Sequence, residues 1–380
     1  MSGTSSFMPY ISPVVREFEP YVAGRSIAEI KEAFGLERVI KLASNENPLG
    51  CPPSVQAVLR EQAALAFRYP QAGNPRLVQA IAAHHGVDPA RVITSNGSDE
   101  VIDLLFRVCA RPGIDNVVAF KPCFGIYTTQ ARFAGVELRQ TPLKPDFSMD
   151  FDALLKLVDA NTAMVFVTSP DNPSGLATPR ETLIRLADAL PEHCMLVVDE
   201  AYIDFVRAKR GGEAAFTMIP VLDEHPNVAV VRTFSKSRGM AGVRLGYGIL
   251  PGELAAYLWR VRLPFSVSLL AEEAGIVAIN DAAFHAETLR VVEEGRRQLE
   301  EGLTALGCAV TPSDANFLCF SHPAMDKAAG VCDALLRRGV IVRGLASYQL
   351  PAHIRVSVGT AEENALFLAA LADVLPGARA

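Results

Sequence analysis

The chain has no C-x-x-C pair, no H-E-x-x-H, a single tryptophan in 380 residues, and no apolar run long enough to span a bilayer. Its seven cysteines (Cys51, Cys109, Cys123, Cys194, Cys308, Cys319 and Cys332) are odd in number and scattered. Such usage excludes a disulfide frame and a cysteine zinc site, and reads as reduced, mostly buried thiols. The paired His84 and His85 read as the polar face of a helix, and no metal site is expected. No G-x-G-x-x-G follows an apolar strand pattern, which disfavours a nicotinamide dehydrogenase, and no glycine-lysine phosphate loop suggests a nucleotidase. Basic charge is also short. With 36 Lys and Arg against 42 Asp and Glu the formal net charge is -6, so general affinity for nucleic acid or an anionic membrane is excluded. Any anion site must be local. The opening MSGTSSFMPYISPVVREFEP lacks a basic end followed by an apolar core, and the expectation is a soluble, cytoplasmic protein.

What is present is apolar residue: 50% of the chain, enough for a large core and more than one ordinary domain. The middle alternates short strands and helices. RVITSNG, NVVAFKP, AMVFVTSP, MLVVDEAY, NVAVVRTFS and GYGILP are compact, β-branched and bounded by Gly, Pro, Asn or Ser, the pattern of buried strands. Between them, Val101, Leu104, Leu105 and Val108 recur at helical spacing after Ser98. Thr178, Pro179 and Glu181 read as a capping box with proline at the first helical position. This alternation predicts an α/β fold with a mainly parallel sheet covered by helices on both sides, over residues 48–265. The remainder, 266–380, reads as a smaller α+β domain: a long amphipathic stretch from Phe284 to Leu306, then NFLCF, HIRVSVG and a final helix capped by Thr360 and Glu363. Residues 1–47 read as an arm packing across the lobes and joining the small domain. No internal repeat or low-complexity tract is present.

In an open α/β sheet, ligands sit beyond the carboxyl ends of the strands. Four strand ends here carry polar groups: Ser98 and Asp99, Asn172, Asp199 with Tyr202, and Ser235 with Lys236. Singly each has an ordinary reading as helix cap, turn, buried acid or solvated lysine. Together they complement one ligand: a planar heteroaromatic cation with a phosphate and an aldehyde carbon.

In order along the chain, KLASNENPLG, RYPQAGNPRL, NGSDE, SPDNPSG, VVDEAY, TFSKSRGMAGVRLGY and IRVSVGT resemble the fold-type I pyridoxal-phosphate aminotransferases, most of all the histidinol-phosphate aminotransferase family. The resemblance runs from about Tyr21 to Thr360. It implies that pyridoxal 5'-phosphate is held covalently by Lys236, which also carries the proton between substrate and cofactor carbons. Asp199 would pair with the ring nitrogen and keep it protonated, since a nearby opposite charge favours the charged form. Tyr202 and Asn172 would donate to the phenolate oxygen, and Phe124 would stack on the ring. The phosphate would meet backbone N–H groups at Gly97, Ser98 and Asp99, with Ser235 and Arg244 adding a hydroxyl and a charged fork. Gly239 and Gly242 would let the chain fold tightly enough to bring Arg244 back to Ser235. Tyr69 would reach the cofactor phosphate of a neighbouring subunit, making the active unit a homodimer. Arg343, Arg355, Tyr21 and Asn47 would contact substrate, the two arginines suiting a doubly anionic one. Arg238, Met240 and Cys123 differ from residues common in relatives, which bears on substrate preference. The implied reaction is L-histidinol phosphate plus 2-oxoglutarate giving imidazole-acetol phosphate plus L-glutamate, in histidine biosynthesis. Related enzymes with the same anchors transaminate aromatic amino acids or decarboxylate threonine phosphate.

Overall fold

The six apolar segments form six strands of one sheet, and a seventh joins them at the edge. In the computed structural model, which describes residues 10–16, 18 and 26–375, these are β1 (Val92–Ser95), β2 (Asn116–Lys121), β3 (Glu137–Pro142), β4 (Thr162–Thr168), β5 (Met195–Asp199), β6 (Val228–Thr233) and β7 (Gly246–Ile249). Their spatial order is β1-β7-β6-β5-β4-β2-β3. Pairing is parallel from β3 through β6, and β7 is antiparallel to both β6 and β1. Strand β7 alone runs backward, so β1 and β2 to β6 all end on the same edge.

Strand β3 was not expected. Its sequence ELRQTP has no apolar run because it lies at the sheet edge, where most of its residues stay partly exposed.

Alternation along the strands sorts side chains onto two faces. Val165, Val167, Leu196, Val198, Val228 and Val230 pack with helices α1 (Pro53–Gln62), α2 (Pro75–His85), α5 (Arg180–Ala189) and α7 (Leu269–Asn280). Met164, Phe166, Val197, Ala229 and Val231 pack with α3 (Ser98–Cys109), α4 (Gly125–Ala134) and α6 (Gly252–Val261). Asp199, two residues beyond Val197, therefore lies on the α3/α4 face, and so does Thr168, two beyond Phe166.

Helix α3 buries Val101, Leu104 and Leu105 as their spacing predicts. The capping box expected at Thr178 is not formed. Helix α5 begins at Arg180 after Pro179, and the Thr178 N–H donates to Ser169 Oγ at 2.9 Å instead, tying the preceding loop to the end of β4.

The C-terminal part holds the long helix α8 (Ala282–Ala305), α9 (Ala328–Arg337) and α10 (Ala361–Val374). They lie against a small antiparallel sheet of order β10-β11-β9-β8, with β8 at Ala309–Val310, β9 at Phe317–Ser321, β10 at Arg343–Gly344 and β11 at His353–Ser357. Its core gathers Leu299, Leu303, Leu318, Phe320, Ile354, Val356 and Phe367. Helix α10 starts on the reciprocal cap between Thr360 and Glu363 that its sequence announces. Ile40–Lys41 pairs in parallel with Val340–Ile341, so the segment before α1 is stitched to this second core. Among the described residues no helix is long and apolar enough to cross a membrane, and no group of three or more His, Cys, Asp or Glu could hold a metal ion.

Candidate active site

The carboxyl edge of the large sheet carries the polar cluster, and the reversed strand explains its closeness. Thr233, at the end of β6, pairs with Gly246, and Gly246 pairs with Ser95 at the end of β1. The turn from Phe234 to Leu245 therefore delivers Lys236 at one strand end and returns Arg244 beside the N-terminus of α3. Phe234 and Leu245 close that turn with a backbone hydrogen bond of 3.0 Å. Arg244 itself adopts the left-handed conformation, φ 59°. Gly239 is required where it stands, because φ is +66° and a Cβ would come 2.2 Å from Gly50 O. Gly242 is not: a Cβ there would meet nothing within 4 Å, so the tight fold rests on Gly239 and Arg244.

At the helix end, Gly97 is the N-cap of α3 with φ 75°, and Ser98 is the first helical residue. The first helical N–H groups have no carbonyl within the helix to bond. The Arg244 guanidinium lies directly over Gly97, where a Cβ would be 2.6 Å from Nη2. Its Nη2 is 3.7 Å from Asp99 Oδ2. Ser235 is buried alongside, its N–H bonded to Thr233 Oγ1 at 3.0 Å. A basic fork, a hydroxyl and an open helix N-terminus form a cradle for a phosphate-sized anion.

Lys236 is clamped through its backbone. Asn47 Nδ2 donates to the carbonyls of Lys236 at 3.3 Å and Ser237 at 3.0 Å, and also to Thr288 Oγ1. Ser237 Oγ donates to partly buried Asp204 at 2.9 Å. Nζ of Lys236 donates to Ser44 O at 3.2 Å and lies 5.5 Å from the centre of the Tyr202 ring. Burial first, and then the Arg355 charge, push its ammonium down to about 8, so an appreciable fraction is the free, nucleophilic amine near neutrality.

Asp199 is buried at the end of β5. One oxygen accepts from Ala201 N at 3.1 Å and the other from the Tyr127 hydroxyl at 3.0 Å. Burial raises its carboxyl to about 6, and the neighbouring charges of Asp99 and Glu200 push the same way. A carboxylate so placed calls for a cation, and a protonated ring nitrogen supplies one. Tyr202, buried, accepts from Asn45 Nδ2 at 3.0 Å, which leaves its own proton to donate. Asn172 accepts from Arg355 Nη1 at 2.5 Å through its amide oxygen, which orients its NH2 as the remaining donor. Phe124 precedes α4, its ring edge-on to Tyr127 at 6.1 Å. The donor set thus fits a planar cofactor with an anionic end, an amine-reactive carbon and a basic ring nitrogen.

Arg355 sits in the small sheet directly opposite Arg343, and cross-strand partners share a face. Besides Asn172, Arg355 donates to Ala43 O at 3.0 Å and lies over the Phe317 ring, while its buried Nε has no hydrogen-bond partner among the described residues. Tyr69 stands apart from this cluster. It is 79% exposed and stacked on Phe265, next to Phe67 and Leu263, which are 73% and 67% exposed. Tyr21 lies outside the described residues.

Sequence reasoning missed Tyr127, Thr168, Asn45 and Asp204, all of which support site residues. Tyr127 follows Phe124 by three residues, one helical turn, a usable signal once a helix is known to begin at Gly125.

The model of the family described as aminotransferase class I and II matches residues 37–371. A histidinol-phosphate aminotransferase of Nitratidesulfovibrio vulgaris (strain DP4) is 59% identical over 368 residues, 97% of each chain. One from Oleidesulfovibrio alaskensis is 56% identical over 378 residues, 99% of this chain and 98% of the relative. The crystal structure of histidinol-phosphate aminotransferase from Sinorhizobium meliloti in complex with pyridoxal-5'-phosphate superposes with a TM-score of 0.87 at 28% identity, covering 99% of both chains. The architecture described above is therefore the fold-type I aminotransferase fold.

Proposed function

Because the chain belongs to the class I and II aminotransferases, we propose that it is a pyridoxal-phosphate-dependent histidinol-phosphate aminotransferase of histidine biosynthesis. It moves an amino group from L-histidinol phosphate to 2-oxoglutarate. The observation that carries the reading is the near full-length identity of 59% to a protein of that activity, joined to a site whose donors match the cofactor group by group.

Pyridoxal 5'-phosphate supplies a conjugated electron sink that makes a substrate C–H bond acidic. The chain does the rest. Lys236 would hold the cofactor through Nζ and would also hold and move the proton at the substrate carbon. Its lowered basicity suits both tasks. Asp199 holds the ring nitrogen in its protonated form. Tyr202 and Asn172 direct donors at the phenolate oxygen, and Phe124 covers the ring. The N–H groups of Gly97, Ser98 and Asp99, with Ser235 and Arg244, would hold the phosphate. Arg355 and Arg343, side by side on one face, bind the anionic groups of the substrates, the carboxylate of glutamate and the phosphate of histidinol phosphate. Asn47 acts through the lysine loop that it holds, next to the proposed substrate position, and Tyr21 is the further substrate contact that this reading assigns.

The division of labour follows three parts: an arm (1–47), a cofactor-binding domain (48–265) and a small domain (266–380) that brings the arginines. Tyr69 completes the phosphate cradle of a second copy, so the working unit is a homodimer, a cytoplasmic enzyme with shared sites. Support comes from the exposed apolar group of Tyr69, Phe67, Leu263 and Phe265, which one chain leaves uncovered.

A single-turnover substrate panel tests the reading. Mixing purified holoenzyme with histidinol phosphate should convert the bound cofactor to its amine form, seen as loss of its visible absorbance, and 2-oxoglutarate should restore it. No conversion with histidinol phosphate but ready conversion with phenylalanine or tyrosine would reassign the protein as an aromatic aminotransferase. Carbon dioxide released without a keto acid would make it a decarboxylase.

A further inference from the structure

We infer that Tyr127, supported by Thr168, is a positioning residue that keeps the Asp199 carboxylate ionised and aimed at the cofactor ring nitrogen. The inference rests on the reading of Asp199 as the ring-nitrogen partner and adds to it the device that makes a buried acid fit for that task.

The hydrogen bonds have only one consistent direction. Tyr127 Oη lies 3.0 Å from Asp199 Oδ2 and 2.8 Å from Thr168 Oγ1. An ionised carboxylate has no proton to give, so the phenol donates its single proton to Asp199. Thr168 must then donate to the phenol. The result is a chain of donors, Thr168 to Tyr127 to Asp199, running toward the site. The fold dictates the meeting. Thr168 and Asp199 are register partners on adjacent parallel strands, and both point to the face covered by α4. Tyr127 lies in the first turn of α4, fully buried and stacked on Phe166 at 4.6 Å, which fixes the ring.

The electrostatics require such a donor. Burial and the acids Asp99 and Glu200 all drive Asp199 toward its protonated, neutral form. The Ala201 N–H and the Tyr127 hydroxyl oppose them. A hydrogen bond to the charged form is what an uncompensated buried carboxylate lacks. Each oxygen takes one donor from the protein and keeps lone pairs for the ring nitrogen. Without Tyr127 the shared proton would shift from the ring nitrogen onto Asp199, and the ring would withdraw electrons less strongly.

The test is the nitrogen-15 resonance of ring-labelled pyridoxal 5'-phosphate in the holoenzyme. Wild-type protein should show a protonated ring nitrogen at neutral pH. In Tyr127→Phe the ratio of protonated to unprotonated ring nitrogen should fall about tenfold, with Thr168→Val moving it the same way by less. Asp199→Asn is the reference for complete loss. If Asp199→Asn collapses the signal while Tyr127→Phe and Thr168→Val leave the wild-type ratio, the role of Tyr127 is refuted and the Asp199 reading stands. If Asp199→Asn itself changes nothing, the ring-nitrogen reading fails and this inference falls with it. Should Tyr127→Phe not fold, Thr168→Val decides alone, since it removes the upstream donor and leaves the buried ring in place.

Discussion

Asp199 shows how a single residue trades stability for chemistry. Its carboxyl is raised from the ordinary 3.8 to about 6, mainly by burial. The folded state therefore binds a proton more tightly than the unfolded state does. Stability then falls as pH rises from about 4 to 6, and the full cost persists above that window. Replacing Asp199 with Asn should stabilise the cofactor-free protein at pH 7.5 by on the order of 2–3 kcal/mol, the advantage fading as pH drops toward 4. Urea unfolding of both proteins across this range checks the sign. An Asn variant that is less stable at pH 7.5 would mean that the carboxylate already has a stabilising partner in the empty site. If the ring nitrogen of bound cofactor is the proposed partner, the order of stabilities should reverse in the holoenzyme.

The elements that carry the site were legible where chemistry and pattern coincide. Apolar, β-branched segments bounded by Gly, Pro or Asn read as strands because burial on both faces demands continuous apolar residues. The edge strand Glu137–Pro142 escaped because an edge makes no such demand. The lysine loop was expected to turn Arg244 back toward the start of α3, where the structure sets it over Gly97, yet the means differs from expectation. Arg244 takes the positive φ itself, and Gly242 stands in open space. What was illegible is the contact of Tyr127 and Thr168 with Asp199, because it arises from strand order and helix placement, neither of which a local pattern reports. At the N-terminus of α3, a Cβ on Gly97 would come 2.6 Å from Arg244 Nη2. Gly97→Ala should cost about 1–3 kcal/mol, because φ 75° with ψ 163° is a backbone region that only glycine enters without strain. It should also displace Arg244, weakening cofactor retention by roughly 10-fold or more. Equilibrium dialysis of the cofactor measures this, and unchanged affinity would remove Arg244 from the cradle.

On the scale of the whole molecule, the site is incomplete within one chain if Tyr69 serves its neighbour. Complementation decides it. Lys236→Ala and Tyr69→Ala homodimers should each be impaired, the first without detectable turnover. Heterodimers formed by unfolding and refolding the two together should regain activity, because one of their two sites combines an intact Lys236 with the partner's intact Tyr69. Activity no greater than the sum of the separate homodimers would place Tyr69 outside the neighbouring site.

The backward course of β7 has a consequence that reaches past pairing. Lys236 and Arg244, the proposed covalent anchor and phosphate clamp, hang from a single turn between Thr233 and Gly246 whose two ends are locked to each other across adjacent strands. The span between them is set by that one hinge-free yoke rather than by how separate bodies happen to settle. On that reading the distance from anchor to clamp belongs to the large sheet alone, and the small sheet carrying Arg343 and Arg355 has no share in setting it.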